Sequence, residues 1–301
     1  MGGMTTLTWY GGNILSPAFA ATLYAMGGLL FVMIIDIVTF IVAIVTVIIS
    51  HIPQPIKEST ETEQSLALKG QLLFGFRYLW ERPPLRAFIF VACLWTLFHD
   101  AAMNAPMILA RTDNNEAVLA AVSAASGIGG VIAALLVSTW DGSKRHMLTY
   151  GWGMVSAGIG KVFVGMGQDV VSWSLAQGYT SANFPFLGSA RQAIVMSKVE
   201  PSAQGRFFAT FTIIVGLVSL LTRLSAGLLG DYLFELAMSV DGWLSPYLGW
   251  FFGTGAGAGL SVQFVLLGLG MTGVRVLALT WKSVRNIETD LPDYEINSDS
   301  Q

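Results

Sequence analysis

The sequence predicts an all-α membrane protein with about eight transmembrane helices. Apolar residues make up 53% of its 301 residues and charged residues only 12%, whereas about a quarter of an ordinary soluble domain is charged. The apolar segments are about twenty residues long, which is enough to cross ~30 Å of hydrocarbon. They lack the period-two alternation of barrel strands. Because backbone polar groups in lipid must be bonded internally, helices are the expected spanning elements.

Eight apolar segments are long enough to be membrane spans, and a more polar segment at 231–256 is predicted to lie at an interface. The predicted spans are residues 7–27, 31–50, 85–109, 116–138, 147–167, 170–197, 207–230 and 257–280. This pattern predicts four parts. They are two helices in residues 1–50, a polar loop at 51–84, a six-helix bundle at 85–280 and an acidic tail at 281–301.

The loop at 51–84 interrupts the apolar pattern after the second span. Its second half alternates apolar and basic residues at helical spacing until Pro83 and Pro84 end it. Such a segment is typical of an amphipathic helix in the plane of the lipid headgroups. The alternative is a plain solvated linker. The tail after Arg285 is acidic throughout and is predicted to be a solvated chain end.

The basic residues predict the orientation. If both termini and the 51–84 loop are cytoplasmic, Arg111 is the one basic residue on the other side, which is a strong positive-inside asymmetry. The cytoplasmic side then carries Lys57, Lys69, Arg77, Arg82, Arg86, Lys144, Arg145, Lys198, Arg206, Lys282 and Arg285. We therefore expect a plasma membrane protein, in a bacterium the inner membrane.

Several charged residues fall within the predicted spans. Asp36, Lys161, Arg191 and Arg275 lie near span ends, where long basic side chains can reach the interface and a carboxylate near a helix N-terminus is favourable. For these four we favour a structural role. Arg223 lies deeper in its span. It is predicted either to reach the far interface, which we favour slightly, or to pair with a carboxylate or an anionic substrate group.

His99 and Asp100 are the candidates for proton coupling. They lie about fourteen residues into their span, close to the bilayer centre at 1.5 Å per residue. Thr96, Asp100 and Asn104 recur every four residues and share one helix face. A carboxylate and an imidazole buried there could exchange protons near neutral pH. The alternative is a satisfied polar pair that only packs helices.

The span at 170–197 is predicted to line a substrate cavity. It carries polar residues at helical spacing, and Pro185 can interrupt its hydrogen-bond ladder. Together with Asn104 and Arg223, the candidate cavity residues are Gln177, Ser181 and Gln192.

No pattern favours an enzyme. One cysteine, Cys93, and three histidines far apart in the sequence predict no disulfide, no metal site and no cofactor. Neither His-Glu-x-x-His nor Gly-x-Ser-x-Gly is present. We expect no nucleic-acid partner. An intramembrane enzyme based on His99 and Asp100 is the least favoured alternative.

Several local segments resemble the major facilitator superfamily, in particular its enterobactin-exporter-like and macrolide-efflux-like branch. Residues 13–20 and 35–40 resemble the family's fifth and sixth helices, and residues 75–86 resemble the approach to the seventh. Residues 199–206 (Val-Glu-Pro-Ser-Ala-Gln-Gly-Arg) are similar to the turn between the tenth and eleventh helices, and 291–295 to a C-terminal ending of this branch.

The resemblance implies the C-terminal two-thirds of a twelve-helix major facilitator fold, lacking the first four helices. It implies a cytoplasmic gate at Asp141, Lys144 and Arg145, where the family's basic motif is repeated in degenerate form, and at Gly205 and Arg206. The partners it implies are the lipid bilayer, a small-molecule substrate and protons. A missing N-terminal segment or self-association would complete the assembly.

Two functions follow from these expectations. The first is secondary active transport, namely proton-coupled efflux of a small amphiphilic compound by alternating access, as in an antiporter. The alternative is a non-transporting membrane module or a decaying fragment of such a transporter.

Overall fold

The computed structural model of the chain describes residues 31, 33–46, 49, 68–140, 143 and 145–294. Within residues 68–140, side chains are described from residue 74 onward. Every regular element in these segments is helical, as predicted. The predicted span 7–27, residues 51–67 of the predicted loop at 51–84, Asp141, Lys144 and the end of the tail lie outside the described residues. The helices are α1 (Met33–Thr46), α2 (Leu68–Trp80), α3 (Pro83–Ala101), α4 (Asn104–Arg111), α5 (Glu116–Thr139), α6 (His146–Met166), α7 (Val170–Lys198), α8 (Pro201–Leu229), α9 (Leu236–Met238), α10 (Ser245–Phe252), α11 (Ala258–Thr280), α12 (Lys282–Arg285) and α13 (Ile287–Asp290).

Within the part of the chain that the structure describes, four stretches are long and apolar enough to cross a membrane: Pro83–Arg111, Glu116–Thr139, Pro201–Met238 and Ala258–Thr280. The chain is therefore a helical membrane protein, while the count of eight spans stays a prediction. Two further helices, α6 and α7, have 21 and 29 residues but contain more glycine and polar residues. They pack between other helices, and a helix that faces protein and not lipid has less need of apolar side chains.

Local sequence explains where the helices begin. Pro83 and Pro201 occupy first-turn positions of α3 and α8, where a proline loses no hydrogen bond. The side chain of Asn115 accepts from the first free N–H groups of α5. Asp169 and Ser172 form a reciprocal capping box at the start of α7. Pro185 lies inside α7, which nevertheless continues to Lys198.

The long helices form a row of neighbours in the order α5, α7, α6, α11, α3 and α8. Glycines allow the closest approaches. A Cβ atom at Gly129 of α5 would lie 2.1 Å from the carbonyl oxygen of Gly178 in α7, and a Cβ at Gly158 of α6 would lie 2.8 Å from that of Gly268 in α11. Such contacts hold membrane helices together by close packing of their backbones.

One end of this row is basic. The Tyr78 hydroxyl accepts from the Glu200 N–H at 3.3 Å, which places the end of α2 beside the start of α8. We call this end, where α2 and α7 finish and α3, α6 and α8 begin, the basic end. It carries Arg77, Arg82, Arg86, Arg145, Lys198, Arg206, Lys282 and Arg285, while Arg111 lies at the opposite end and donates to Phe252 O at 3.0 Å.

Helix α2 lies in the segment for which an amphipathic helix is predicted, and it packs against α8. Tyr78 and Leu79 are buried, while Trp80 stays exposed. A Cβ at Gly75 would lie 2.0 Å from the Thr210 hydroxyl oxygen of α8. The guanidinium of Arg206 stacks on Phe74 at 3.9 Å. The helix is thus fixed to protein on one side, whatever its position relative to the headgroups.

The interpretation of the tail as a solvated chain end is wrong as far as residue 294. Val284 and Ile287 are fully buried. The Glu288 carboxylate accepts from the Met147 N–H at 3.0 Å at the start of α6. The Lys198 ammonium, at the end of α7, donates to the Glu288 and Leu291 carbonyls and pairs with Asp293 at 2.8 Å. The buried apolar residues explain the error, since the acidic composition of the tail conceals them.

We predict that Gly129→Ala destabilises the bundle by about 1–3 kcal/mol, because the added methyl group must displace the backbone of α7. The matched control is Gly188→Ala on α7, where a Cβ has no atom within 4 Å. It should leave stability within about 1 kcal/mol of wild type. Both are measured by denaturant unfolding in micelles, and equal stability of the two variants would contradict the packing.

We predict that Lys198→Met releases residues 287–294 from the bundle, since the buried ammonium is the donor to two tail carbonyls. Amide hydrogen exchange of this segment should rise by about tenfold or more, equivalent to a loss of at least ~1.4 kcal/mol of local stability. Lys282→Met, which removes an exposed ammonium from the same end, should leave exchange unchanged. Unaltered exchange in Lys198→Met would show that the buried apolar residues alone hold the tail.

Candidate functional site

A cavity of about 460 Å³ opens where the helix after Pro83 is interrupted. Helix α3 ends at Ala101 and α4 begins at Asn104, so Ala102 and Met103 form a break within an otherwise continuous apolar stretch. The stretch Pro83–Arg111 has 29 residues, and the break lies at its twentieth and twenty-first residues, about two-thirds of the way along it. The cavity has the size of a small-molecule site.

The cavity contains most of the residues that the sequence predicts for it. His99, Asp100, Asn104, Gln177, Ser181 and Arg223 all line it. Thr96, one turn before Asp100 on α3, does not line it. Gln192 does not line it either. Fifteen residues separate it from Gln177, about 22 Å along a helix at 1.5 Å per residue, so its assignment to the cavity was wrong.

Asp100 is the centre of the polar network. Its Oδ1 accepts from Nδ1 of His99 at 2.8 Å. Its Oδ2 accepts from the Ser219 hydroxyl and from Nε of Arg223, the latter at 3.4 Å. The Asp100 side chain is 8% exposed, whereas that of Arg223 is 61% exposed. The carboxylate therefore joins the last turn of α3 to α8, and the interpretation of Arg223 as a partner for a carboxylate is the one that the structure supports.

Aromatic rings hold the imidazole of His99. Trp95, one turn earlier on α3, stacks on it with ring centres 5.0 Å apart. Phe184 of α7 meets it edge-on, also at 5.0 Å. A ring clamped on two sides keeps its orientation, so that Nδ1 faces Asp100 and the other nitrogen remains available at the cavity.

Lys161 is the main functional candidate that the sequence analysis missed. Its ammonium donates to the Ala102 carbonyl at 3.0 Å and to Oδ1 of Asn104 at 3.3 Å. It also lies 4.8 Å from the centre of the Phe264 ring. Lys161 is 3% exposed, so the expectation that it reaches the interface was wrong. The helix break explains this, because the carbonyl of Ala102 needs a donor inside the bundle.

The wall opposite the charged groups comes from α5 and α7. The Ser126 and Ser181 hydroxyls form a hydrogen bond of 2.5 Å. The amide nitrogen of Gln177 donates to Ser126 Oγ at 3.4 Å. The amide oxygen of Gln177 is buried and has no hydrogen-bond partner among the described residues. The close approach of Gly129 to Gly178 brings these side chains together.

Two of the missed residues had a visible signal. Lys161 is a charged residue inside an apolar segment, and Ser219 lies four residues before Arg223 on the same face of α8. Ser126 had no distinguishing feature among the serines of α5. Its role arises from the packing of α5 against α7.

The predicted gate residues lie elsewhere. Arg145, Gly205 and Arg206 are at the basic end, and the structure gives Arg145 and Arg206 no hydrogen bond or ion pair with one another. Arg206 instead contacts Phe74 and the Ser202 carbonyl. A Cβ at Gly205 would meet no atom within 4 Å. The gate therefore stays a prediction.

Comparisons with known proteins do not assign the chain. No family model, curated protein or solved structure matches it. The function must therefore be argued from the residues of the cavity.

We predict that the cavity is open to water. In a Cys93→Ser background, Ser123→Cys places a thiol in the exposed part of the cavity wall. Ile132→Cys places a thiol on an exposed, apolar part of α5, the helix that also carries Ser123. A charged methanethiosulfonate reagent reacts with thiolates, which form in water and not in lipid.

In lipid nanodiscs the cavity thiol should therefore react at least about tenfold faster than the lipid-facing one. Rates are followed by mass spectrometry. Equal rates would contradict the presence of an aqueous cavity in the membrane.

Proposed function

We propose that this chain is a secondary active transporter polypeptide for proton-coupled efflux of a small amphiphilic compound. The observation that carries the proposal is the cavity at the break between α3 and α4, with a carboxylate bonded across two helices. Ionisable residues inside membrane helices are costly, and they mark substrate and proton pathways in transport proteins. Cavities formed at broken helices are typical of secondary transporters.

Asp100 is the proposed coupling residue, with His99 beside it. An ionised Asp100 attracts Arg223 and accepts from Ser219, which holds α3 against α8. A protonated Asp100 loses the ionic attraction to Arg223, so the contact between the two helices weakens. Proton binding thereby favours one arrangement of α3 and α8, and proton release favours the other, as alternating access requires.

The substrate is proposed to occupy the space between this network and the wall formed by α5 and α7. Asn104, Gln177 and Ser181 offer polar contacts there, while Met103 and Phe184 offer apolar surface. A cavity with both kinds of lining suits a compound with a polar group and an apolar body.

The orientation and the family are part of the proposal. The concentration of Arg and Lys at the basic end supports a cytoplasmic location for that end, hence for the C-terminus, in a bacterial inner membrane. The resemblances at residues 35–40, 75–86 and 199–206 support membership of the major facilitator superfamily. The alternative is a membrane module that does not transport, and the efflux measurement below separates the two.

The test is efflux from cells that express the 301-residue chain, with a panel of fluorescent amphiphilic dyes. Dye retention is compared with that of cells without the protein, in the presence and absence of an uncoupler that collapses the proton gradient. Efflux above background that the uncoupler abolishes is the expected result. Equal retention with and without the protein for every dye would support the non-transporting alternative.

We predict that Asp100→Asn abolishes uncoupler-sensitive efflux, because the amide cannot gain or lose the coupling proton. The matched control is Asp113→Asn, the same chemical change at an exposed position with φ of 50°, which Asn tolerates. The control should export at the wild-type rate when expression is equal. Wild-type efflux by Asp100→Asn would remove Asp100 from the coupling mechanism.

A further inference from the structure

We infer that the cavity is an anion site whose cargo is an amphiphilic carboxylate, with Lys161, Arg223 and the start of α4 as its positive groups. This inference rests on the proposed function insofar as the carboxylate is the transported compound. It names the chemical class of the substrate.

The first step concerns charge. Among the described residues, three charged ones line the cavity: Asp100, Lys161 and Arg223. Asp100 pairs with Arg223, whereas the structure gives Lys161 no carboxylate within 4 Å among the described residues. Its partners are two neutral oxygens and an aromatic ring. The cavity thus carries one uncompensated positive charge, at a side chain that is 97% buried, and a bound anion would compensate it.

The second step concerns unused donors. An ammonium has three N–H donors, and Lys161 directs two of them to Ala102 and Asn104. Arg223 uses Nε for Asp100, and its two terminal nitrogens have no hydrogen-bond partner among the described residues. Both cations line the same cavity. Each can therefore donate to a carboxylate without giving up its present partner.

The third step concerns the helix break. Helix α4 begins at the cavity, and the residues at its start, Met103, Asn104 and Ala105, line the cavity. No side chain caps the first turn of α4. The free N–H groups and the dipole at this end favour a negative charge. In broken membrane helices such ends face anionic substrate groups. The carbonyl end of α3, which by itself would repel an anion, is already compensated by the hydrogen bond from Lys161 to the Ala102 carbonyl. The positive end of α4 therefore attracts an anion without opposition from α3.

The fourth step concerns the rest of the ligand. Gln177 lines the cavity, and its amide oxygen is buried and has no hydrogen-bond partner among the described residues. Met103, Ala105 and Phe184 provide apolar surface for the body of the compound. The site therefore fits a carboxylate with an apolar body, within about 460 Å³.

The test measures binding and not transport, so that it is independent of the proposed function. The probes are 1-naphthylacetate, its neutral amide 1-naphthylacetamide and the cation 2-(1-naphthyl)ethylamine. The protein is held in nanodiscs of zwitterionic phosphatidylcholine, and affinities are measured by equilibrium dialysis. Wild-type protein should bind the carboxylate at least about tenfold more tightly than the amide, with the cation weakest.

The variants assign the preference to residues. Lys161→Gln, which removes the charge but keeps an N–H donor for the Ala102 carbonyl, should bind the carboxylate and the amide with similar affinity, while its affinity for the amide matches that of wild type and so reports an intact cavity. Lys161→Arg should keep most of the preference. Arg223→Gln, at a side chain that is 61% exposed, should reduce the preference for the carboxylate several-fold, and its affinity for the amide again reports an intact cavity.

The results separate the two proposals. A carboxylate preference that depends on Lys161, in a protein without efflux activity, would support the anion site and overturn the transport function. Uncoupler-sensitive efflux by a protein with equal affinity for carboxylate and amide would overturn the anion site and leave the transport function standing. Absence of saturable carboxylate binding, or a preference for the carboxylate that persists in both Lys161→Gln and Arg223→Gln, would also overturn the anion site.

Discussion

The hydrogen bond from Lys161 to the Ala102 carbonyl is the interaction on which the site depends. A break in a membrane helix frees backbone groups that lipid cannot satisfy. Here the break is tolerated because a lysine from α6 donates to the freed carbonyl at 3.0 Å and to Asn104 on the far side of the break. One side chain thus makes the break possible, joins α6 to both halves of the broken helix and brings a positive charge into the bundle.

The two cations of the cavity, Lys161 and Arg223, differ in exposure and in the groups to which they donate hydrogen bonds. Lys161 is enclosed, and its partners are neutral oxygens that do not titrate. Arg223 is largely exposed, and its partner is Asp100, the proposed coupling residue. In the proposed mechanism a change in the protonation of Asp100 alters the contact between α3 and α8, while Lys161 stays bonded to the break. Arg223 thus belongs to both proposed roles, whereas Lys161 belongs to the proposed anion site alone.

The structure also separates rigid contacts from adaptable ones. Helices α5, α7, α6 and α11 meet at glycines, where the backbones touch and leave no room for adjustment. The ends of α6 and α7 are further fixed by the tail, and Glu235 accepts from the Gly257 and Leu260 N–H groups at the start of α11. By contrast, α3 and α8 meet at the site through Asp100, Ser219 and Arg223. A polar contact that depends on charge can be made and broken at much lower cost than a close backbone contact.

The sequence by itself determined the helical class and the approximate bounds of α5, α6, α7, α8 and α11 and of the stretch Pro83–Arg111, because lipid imposes a length and a composition on each span, but it did not determine the break within that stretch. It also located His99, Asp100, Gln177 and Arg223, since polar residues within apolar segments are visible without a structure. Only the tertiary structure decided that Lys161 turns inward, that Gln192 lies outside the cavity and that the acidic tail is docked. These outcomes depend on a helix break, on distances along a helix and on buried contacts between segments far apart in the chain. Hydropathy and spacing describe one segment at a time, so they cannot reveal which carbonyl a lysine on another helix will reach.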